Sequence, residues 1–269
     1  MRPAYDEIRL VKGPARFLAG VLARAIEDLE EQGLTLAIME HGEFMEINRT
    51  HEHRGWYPLH DHYGHARFRG LAIAASDFTR VFATIASRPL DLNGRSVGEA
   101  YEDLTFPYPH GVPISARDRF DDIPLAAYGL KGNGVYVGGI WIDPDARHGG
   151  TVGRELKSGI LSYLTRSLYA WSYGTEDPDF FFGIVIDDLL RGRELNKSTL
   201  DRYGWRFCAP GPNWVNHYPT ADLPVNTTWI DRAGILECIS ETPWVKEAGI
   251  AGREAPAAAS LSEHRQKIA

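Results

Sequence analysis

Ile140-Trp141-Ile142-Asp143-Pro144-Asp145-Ala146-Arg147-His148-Gly149-Gly150-Thr151-Val152-Gly153-Arg154-Glu155-Leu156 reads as the end of an apolar strand, a turn-rich loop and the start of a helix. Val135–Ile142 has the compact apolar character of a buried strand, and Asp143–Gly150 carries the turn formers. From Thr151 to Tyr169, Val152, Leu156, Ile160, Leu164 and Leu168 recur at helical spacing and mark one buried stripe. Gly149, Gly150 and Gly153 free the backbone to turn its N–H groups toward one point. A helix that opens there adds unpaired N–H groups and the positive end of its dipole. Together these make a site for an anion such as a pyrophosphate, to which Arg147 and Arg154 can add charge-assisted contacts. The loop has neither a Gly-Lys-Ser/Thr ending nor G-x-G-x-x-G spacing, so it is not a Walker A loop or a standard dinucleotide fingerprint. A plain strand-to-helix turn is the other reading of its glycines.

Working outward, Pro14–Gln32 reads as a helix opened by proline and closed by Gly33. Leu34–Met39 reads as a strand, and a helix is expected over about Glu43–His51. Leu71–Ala75 and Val81–Ser87 are strands joined by a turn at Ser76–Arg80. The Pro-, Gly- and Asp-rich stretch 89–131 is read as an insertion with short helices near Val97–Leu104 and Ala116–Asp121. Phe180–Ile186 is an apolar run suited to a fully buried strand. Glu194–Tyr203 is expected as a short helix, with closing strands at Trp205–Cys208 and Thr227–Cys238. This order is an α/β grammar: a mixed, mostly antiparallel central sheet with a parallel central crossover, flanked by helices. Residues 1–249 are expected to form a single domain and 250–269 a flexible tail.

Composition narrows the function classes. The 269 residues carry 36 acidic and 29 basic side chains, a formal charge of −7. That balance does not favour a phosphate-neutralising nucleic-acid surface and suits a cationic small molecule better. Cys208 and Cys238 are the two cysteines, too few for a disulfide framework or a four-thiolate zinc site. The N-terminus lacks a signal-peptide apolar stretch and no run approaches a bilayer-spanning length, so the expected location is the cytoplasm, with no membrane partner.

On these residues the chain resembles the GNAT (GCN5-related) N-acetyltransferase superfamily. Ile142, Pro144 and Arg147 match its strand-end, proline and arginine in order and spacing, and Gly150 and Gly153 stand for its loop glycines, the latter one position late. The order of elements extends the resemblance over about Leu34–Cys238, with Gly204-Trp205 in place of the family's Gly-Phe. The resemblance implies the family's fold and acetyl-CoA as cosubstrate. It puts pantetheine along Val137–Ile142, a strand N–H on the thioester carbonyl, and the pyrophosphate on the loop. Cofactor contacts are then expected from Ile140, Trp141, Ile142, Arg147, His148, Gly149, Gly150, Thr151, Val152, Gly153 and Arg154, and from Asn196 on the short helix. The acceptor would be a small amine or amino-acid-like molecule.

The position four residues before Gly204, where the family often has a proton-donating tyrosine, is Leu200. Tyr203 is the neighbouring candidate acid. Gly134–Ile142 holds no carboxylate to act as base, which leaves Asp187, next to Asp188, as the nearest alternative. His51, His53, His60, His62 and His65 crowd one segment with Asp61. His60 and His62 are read as substrate-binding residues, and no metal is expected, although imidazole and carboxylate together leave a histidine-ligated metalloenzyme open. A non-catalytic acyl-CoA-binding protein of the same fold also stays open, as does assembly as a homodimer.

Overall fold

The computed structural model describes residues 1–50, 67–108, 118–148, 154–186, 200, 204–215 and 223–241. After a short strand β1 (Arg2–Pro3), helix α1 (Ala15–Glu30) buries Phe17, Leu18, Val21, Leu22, Ala25 and Leu29 along one stripe. Strand β2 (Leu34–Met39) follows, then α2 (His41–Thr50), β3 (Arg69–Ala75) and β4 (Val81–Pro89). The β3–β4 turn is pinned by Asp77, whose carboxylate accepts from the backbone N–H and hydroxyl of Thr79. Apart from β1, which the sequence reading did not single out, these elements lie within about two residues of where the sequence put them.

The insertion holds α3 (Val97–Glu102), β5 (Arg119–Asp121) and α4 (Leu125–Gly129). A capping box starts α3, with Ser96 and Glu99 each accepting the other's backbone N–H. The helix expected near Ala116–Asp121 is corrected: residues 116 and 117 lie outside the described residues, and Arg119–Asp121 is a strand paired with Asn213–Val215. Burial of Phe120 against Tyr101 and Trp214, with ring centroids 4.6 and 5.2 Å away, overrides the local helical preference.

Strand β6 (Gly134–Ile142) leads through α5 (Pro144–His148) to the long helix α6 (Arg154–Glu176). The expected Asp143–Gly150 loop thus contains a helical turn. Pro144 suits its first position, and Asp143 accepts the Asp145 N–H at 2.9 Å. Helix α6 runs through Gly174 past the expected end at Tyr169, because no proline intervenes before Pro178, and Asp177 just before it has φ of 50°. Ile160, Leu164 and Leu168 of the expected stripe are fully buried.

Strands β7 (Phe180–Ile186), β8 (Phe207–Val215) and β9 (Leu223–Asp231) and helix α7 (Arg232–Ser240) complete the described chain. The strand expected over Thr227–Cys238 stops at Asp231, which caps α7 by accepting the Gly234 N–H at 2.8 Å. Ile235, Cys238 and Ile239 then follow helical spacing into the core. The expected helix at Glu194–Tyr203 and the tail beyond 249 fall outside the described residues, apart from Leu200.

The sheet runs β1-β2-β3-β4-β6-β7-β9-β8-β5. The β6–β7 pair is parallel and the other named pairs are antiparallel. Its fold class is therefore mixed, mostly antiparallel α/β with a central parallel crossover. One face packs on α1, α6 and α7 through Leu36, Ile73, Ile85, Val135 and Phe181. Alternation sends Tyr136 and Phe182 to the other face, under the insertion, where they join Tyr101, Phe106, Phe120 and Trp214. Nearby, α2 covers Met39, Ala72 and Ala86 with Phe44 and Met45. Among the described residues no helix is long and apolar enough to cross a membrane.

Candidate functional site

The parallel ladder is short. β6 and β7 pair from Gly134↔Phe180 to Tyr136↔Phe182, and there their pairing ends. β6 continues to Ile142 paired with β4, while β7 continues to Ile186 paired with β9. The strands part, and one edge of β6 beyond Tyr136 is turned away from its former neighbour. Val135–Val137 are buried, whereas Gly138, Gly139 and Ile140 are half-buried.

A β-bulge lies at the start of this opening. The register shifts between Ala86↔Gly138 and Thr84↔Trp141, so Gly139 and Ile140 of β6 oppose Ile85 alone. Gly139 has φ of 60°, the left-handed region that other residues enter at a cost. A Cβ there would overlap the ring of Phe44 on α2, with Cε2 at 2.9 Å. The Gly139 carbonyl accepts from the Thr84 hydroxyl at 3.3 Å.

The extra residue exchanges faces. Val135 and Val137 lie on the α6 side before the bulge, and Ile140 and Ile142 pack against the same core after it. Beyond the bulge, the Asp143 N–H donates to the Phe82 carbonyl at 2.8 Å, toward β4. By strand alternation the N–H groups of Ile142 and Ile140 point the other way, to the open edge. Chemically, this gives a row of fixed backbone donors beside a gap between strands, suited to an extended ligand carrying carbonyls.

At its end, the strand is fixed to the β3–β4 turn. Arg80 donates through Nε and Nη2 to Asp143 Oδ2 at 3.0 and 2.6 Å, and through Nη2 to Asp145 at 3.1 Å. Hydrogen bonds to Asp143, then to Asp145, raise the pKa of the Arg80 guanidinium further. The same Asp143 caps α5, so one carboxylate sets the direction in which the chain leaves the sheet toward α6.

On the face opposite α6, Tyr136 lies over Gly138. A Cβ at Gly138 would overlap the Tyr136 hydroxyl and lie 2.7 Å from Cζ. Arg88, directly across the ladder from Tyr136, is 3% exposed. Its guanidinium carbon is 5.3 Å from the Tyr136 ring centroid and 5.5 Å from that of Phe106, and Nη2 donates to the Phe106 carbonyl at 2.7 Å. Tyr101 shares this aromatic cluster. Burial pushes its phenol pKa far above the usual range, and its hydroxyl lies 3.4 Å from that of Thr227 on β9.

Of the residues singled out from sequence, Ile140, Trp141 and Ile142 line the bulged end of β6, with Trp141 buried. The backbones of Arg147 and His148 close α5, and Arg154 opens α6. Gly149, Gly150, Thr151, Val152 and Gly153 lie outside the described residues, as do Asp187, Asn196, Tyr203, His60 and His62. Leu200 packs against the main core. Sequence reasoning missed Phe44, Arg80, Arg88, Tyr136 and Asp143. The signal for two of these, Phe44 and Tyr136, was present: two adjacent glycines inside an apolar strand announce a bulge or a close approach by other groups. Among the described residues no cluster of three or more His, Cys, Asp or Glu side chains is placed to hold a metal.

No family model and no curated protein matches this sequence. Among solved structures, a mutant form of the spermidine N-acetyltransferase SpeG from Vibrio cholerae is similar at 11% identity and a TM-score of 0.40, over 76% of this chain and 96% of that one. FeeM, an N-acyl amino acid synthase from uncultured soil microbes, is similar at 14% identity and a TM-score of 0.35, over 90% and 97%. Both likenesses are remote, and the fold assignment rests on the sheet itself. A mixed, mostly antiparallel sheet with one parallel central pair and flanking helices is the arrangement expected of a GNAT-like fold.

Proposed function

We propose that this chain is an acyl-CoA-dependent N-acyltransferase that moves an acetyl or short acyl group from CoA to a small amine or amino-acid-like acceptor. One observation carries the reading: past Tyr136↔Phe182 β6 and β7 no longer pair, while β6 runs on through a bulge at Gly139 to Ile142, so that by strand alternation the Ile140 and Ile142 N–H groups face the opened edge. Acyl-CoA fits this edge because its pantetheine is an extended chain with amide groups that can pair with a strand. A thioester carbonyl accepting one of these N–H groups is polarised as in an oxyanion hole, by donors already fixed before the reaction. The acceptor nitrogen attacks that carbonyl carbon, the C–N bond forms, the C–S bond breaks, and one proton passes from nitrogen to sulfur. Holding both reactants in one cleft lowers the entropic part of the barrier.

The anionic end of the cosubstrate is assigned to Arg147, His148, Gly149, Gly150, Thr151, Val152, Gly153 and Arg154, with Asn196 nearby. Asp187 is the proposed proton acceptor from the amine, and Tyr203 a candidate donor to sulfur. His60 and His62 are assigned to the acceptor. We read residues 1–249 as one domain acting in the cytoplasm on a small molecule, without nucleic acid, membrane or metal. A homodimer is compatible with this scheme.

The test is thiol release from acetyl-CoA in the presence of a panel of amines and amino acids, alongside calorimetric titration with acetyl-CoA and longer acyl-CoAs. Binding with acceptor-dependent thiol release is the expected result. Absence of binding at millimolar concentrations refutes the reading, and binding without turnover across the panel would instead make the chain a non-catalytic acyl-CoA-binding protein.

A further inference from the structure

The transfer needs a proton for the departing thiolate, and the geometry points to Tyr136, rather than Tyr203, as the residue that gives it. This inference rests on the acyltransferase reading above. Tyr136 forms the last pair of the parallel ladder, so its backbone stands where the β6–β7 pairing ends, and its side chain, 3% exposed, lies in the aromatic cluster. From there the side chain extends along β6 in the direction of the opening, and its hydroxyl occupies the space that a Gly138 side chain would fill. The next residue, Gly139, begins the bulge that turns the Ile140 N–H to the open edge. The hydroxyl is thus within about two residues of the backbone donor assigned to the thioester carbonyl, a span of ~7 Å along a strand. A bound thioester places its sulfur one bond from that carbonyl carbon.

The surroundings fit a proton donor that must briefly carry negative charge. Arg88 lies directly across the ladder with its guanidinium over the Tyr136 ring, and a fixed cation stabilises a phenolate. Arg88 is itself held by its bond to the Phe106 carbonyl and by the Phe106 ring, so it acts as a positioning residue. The other phenol of this cluster is directed elsewhere, since the Tyr101 hydroxyl faces Thr227 on β9. The position four residues before Gly204, Leu200, packs into the core and carries no exchangeable side-chain proton.

The step balances. As the tetrahedral adduct collapses and the C–S bond breaks, the sulfur takes the bonding pair and the phenolic proton of Tyr136. The proton that the proposed base takes from the ammonium nitrogen of the adduct then passes through water to the phenolate. The products are the amide and the free thiol.

Tyr136→Phe removes the hydroxyl and keeps the ring. It is expected to lower kcat by about 10²-fold, the usual scale of general acid catalysis, with the acetyl-CoA Kd within about twofold of wild type. Gly138→Ala supplies the second arm, because its Cβ displaces the hydroxyl without removing it. It should lower kcat on the same scale, and the double variant should be no slower than the slower single variant. Wild-type kcat in Tyr136→Phe overturns the inference while leaving the acyltransferase reading standing. So does a loss in Tyr136→Phe that tracks a weakened Kd and a lowered Tm, which is the mark of a packing role. Multiplying effects of Tyr136→Phe and Gly138→Ala also overturn it. A wild type that neither binds acetyl-CoA nor releases thiol takes the inference down together with the reading it rests on.

Discussion

Replacing Gly139 with alanine should destabilise the protein through two separable costs. The first is conformational: at φ of 60° an L-residue pays about 1–2 kcal/mol that glycine does not. The second is steric, because the added methyl overlaps the Phe44 ring, which is fully buried under α2 and cannot swing into solvent. Overpacking of this kind costs about 1–3 kcal/mol. The sum, about 2–5 kcal/mol, is a large share of the ~5–15 kcal/mol that holds a domain folded. Phe44→Leu shortens the obstructing side chain and should remove most of the steric part while leaving the conformational part. A double-mutant cycle therefore has a definite expected result. Gly139→Ala should cost about 2–5 kcal/mol in the wild-type background and about 1–2 kcal/mol in the Phe44→Leu background, a coupling of about 1–3 kcal/mol. Urea denaturation followed by tryptophan fluorescence measures it, provided the m-values agree among the four proteins. A cost below about 0.5 kcal/mol in wild type would refute the left-handed bulge, and equal costs in both backgrounds would refute the contact with Phe44.

Three further outcomes are expected. Acetyl-CoA at a hundredfold excess over its Kd should stabilise the fold by about 2.7 kcal/mol, and a Tm unmoved by millimolar acyl-CoA would contradict the cleft assignment. Gly150→Asp should weaken acyl-CoA binding by well over tenfold through repulsion of the pyrophosphate, and Arg147→Ala more modestly because backbone donors persist. Calorimetry giving equal affinities would move the anion site away from this loop. Stability should also fall on acidification through Asp103. Burial alone would raise its pKa, but hydrogen bonds from Arg95, then from the Thr105 hydroxyl and N–H, outweigh it and hold the pKa below the usual ~3.9. A depressed folded pKa contributes stability that is complete above the unfolded value and lost as pH falls through the folded one. Arg95→Met should therefore flatten the stability profile below about pH 4, and an unchanged slope would show that the pair contributes nothing.

What could be read from the sequence depended on whether a feature was local. The bounds of β2 and β7 follow from compact apolar runs set off by glycine or proline, and α1 from a stripe between Pro14 and Gly33. The insertion was harder, because Arg119–Asp121 becomes a strand only when Asn213–Val215 lies beside it. α7 reads as strand in the sequence because Trp229 and Ile230 belong to β9, and the same apolar run crosses the Asp231 cap into a helix. The candidate site was least legible of all. A splay is a relation between β6, β7 and β9, and no residue in β6 announces where its neighbour leaves. The side chains that meet there come from distant points in the chain: Phe44, Arg80, Arg88 and Tyr136.

The glycine pair is where local and distant determinants converge. A glycine inside a strand costs roughly 0.5–1 kcal/mol relative to alanine, so two together in the central strand need a compensating reason. Each glycine has a different occupant: the Tyr136 hydroxyl fills the space over Gly138, and the Phe44 ring fills that over Gly139. One occupant is polar and the other apolar. Packing alone would be served as well by alanine at Gly138 with a smaller neighbour at residue 136. It would also be served by a regular strand without the bulge. Neither alternative would set a hydroxyl over Gly138, two residues beyond the last β6–β7 pair, next to the bulge at Gly139. The sacrifice of local stability at Gly138-Gly139 is therefore coupled to the opening beside them, and substitutions at the pair should disturb turnover in addition to stability. The comparison that decides this is Gly138→Ala. Its φ is not in the left-handed region, so any loss of kcat beyond its loss of stability reports on the displaced hydroxyl rather than on a strained backbone.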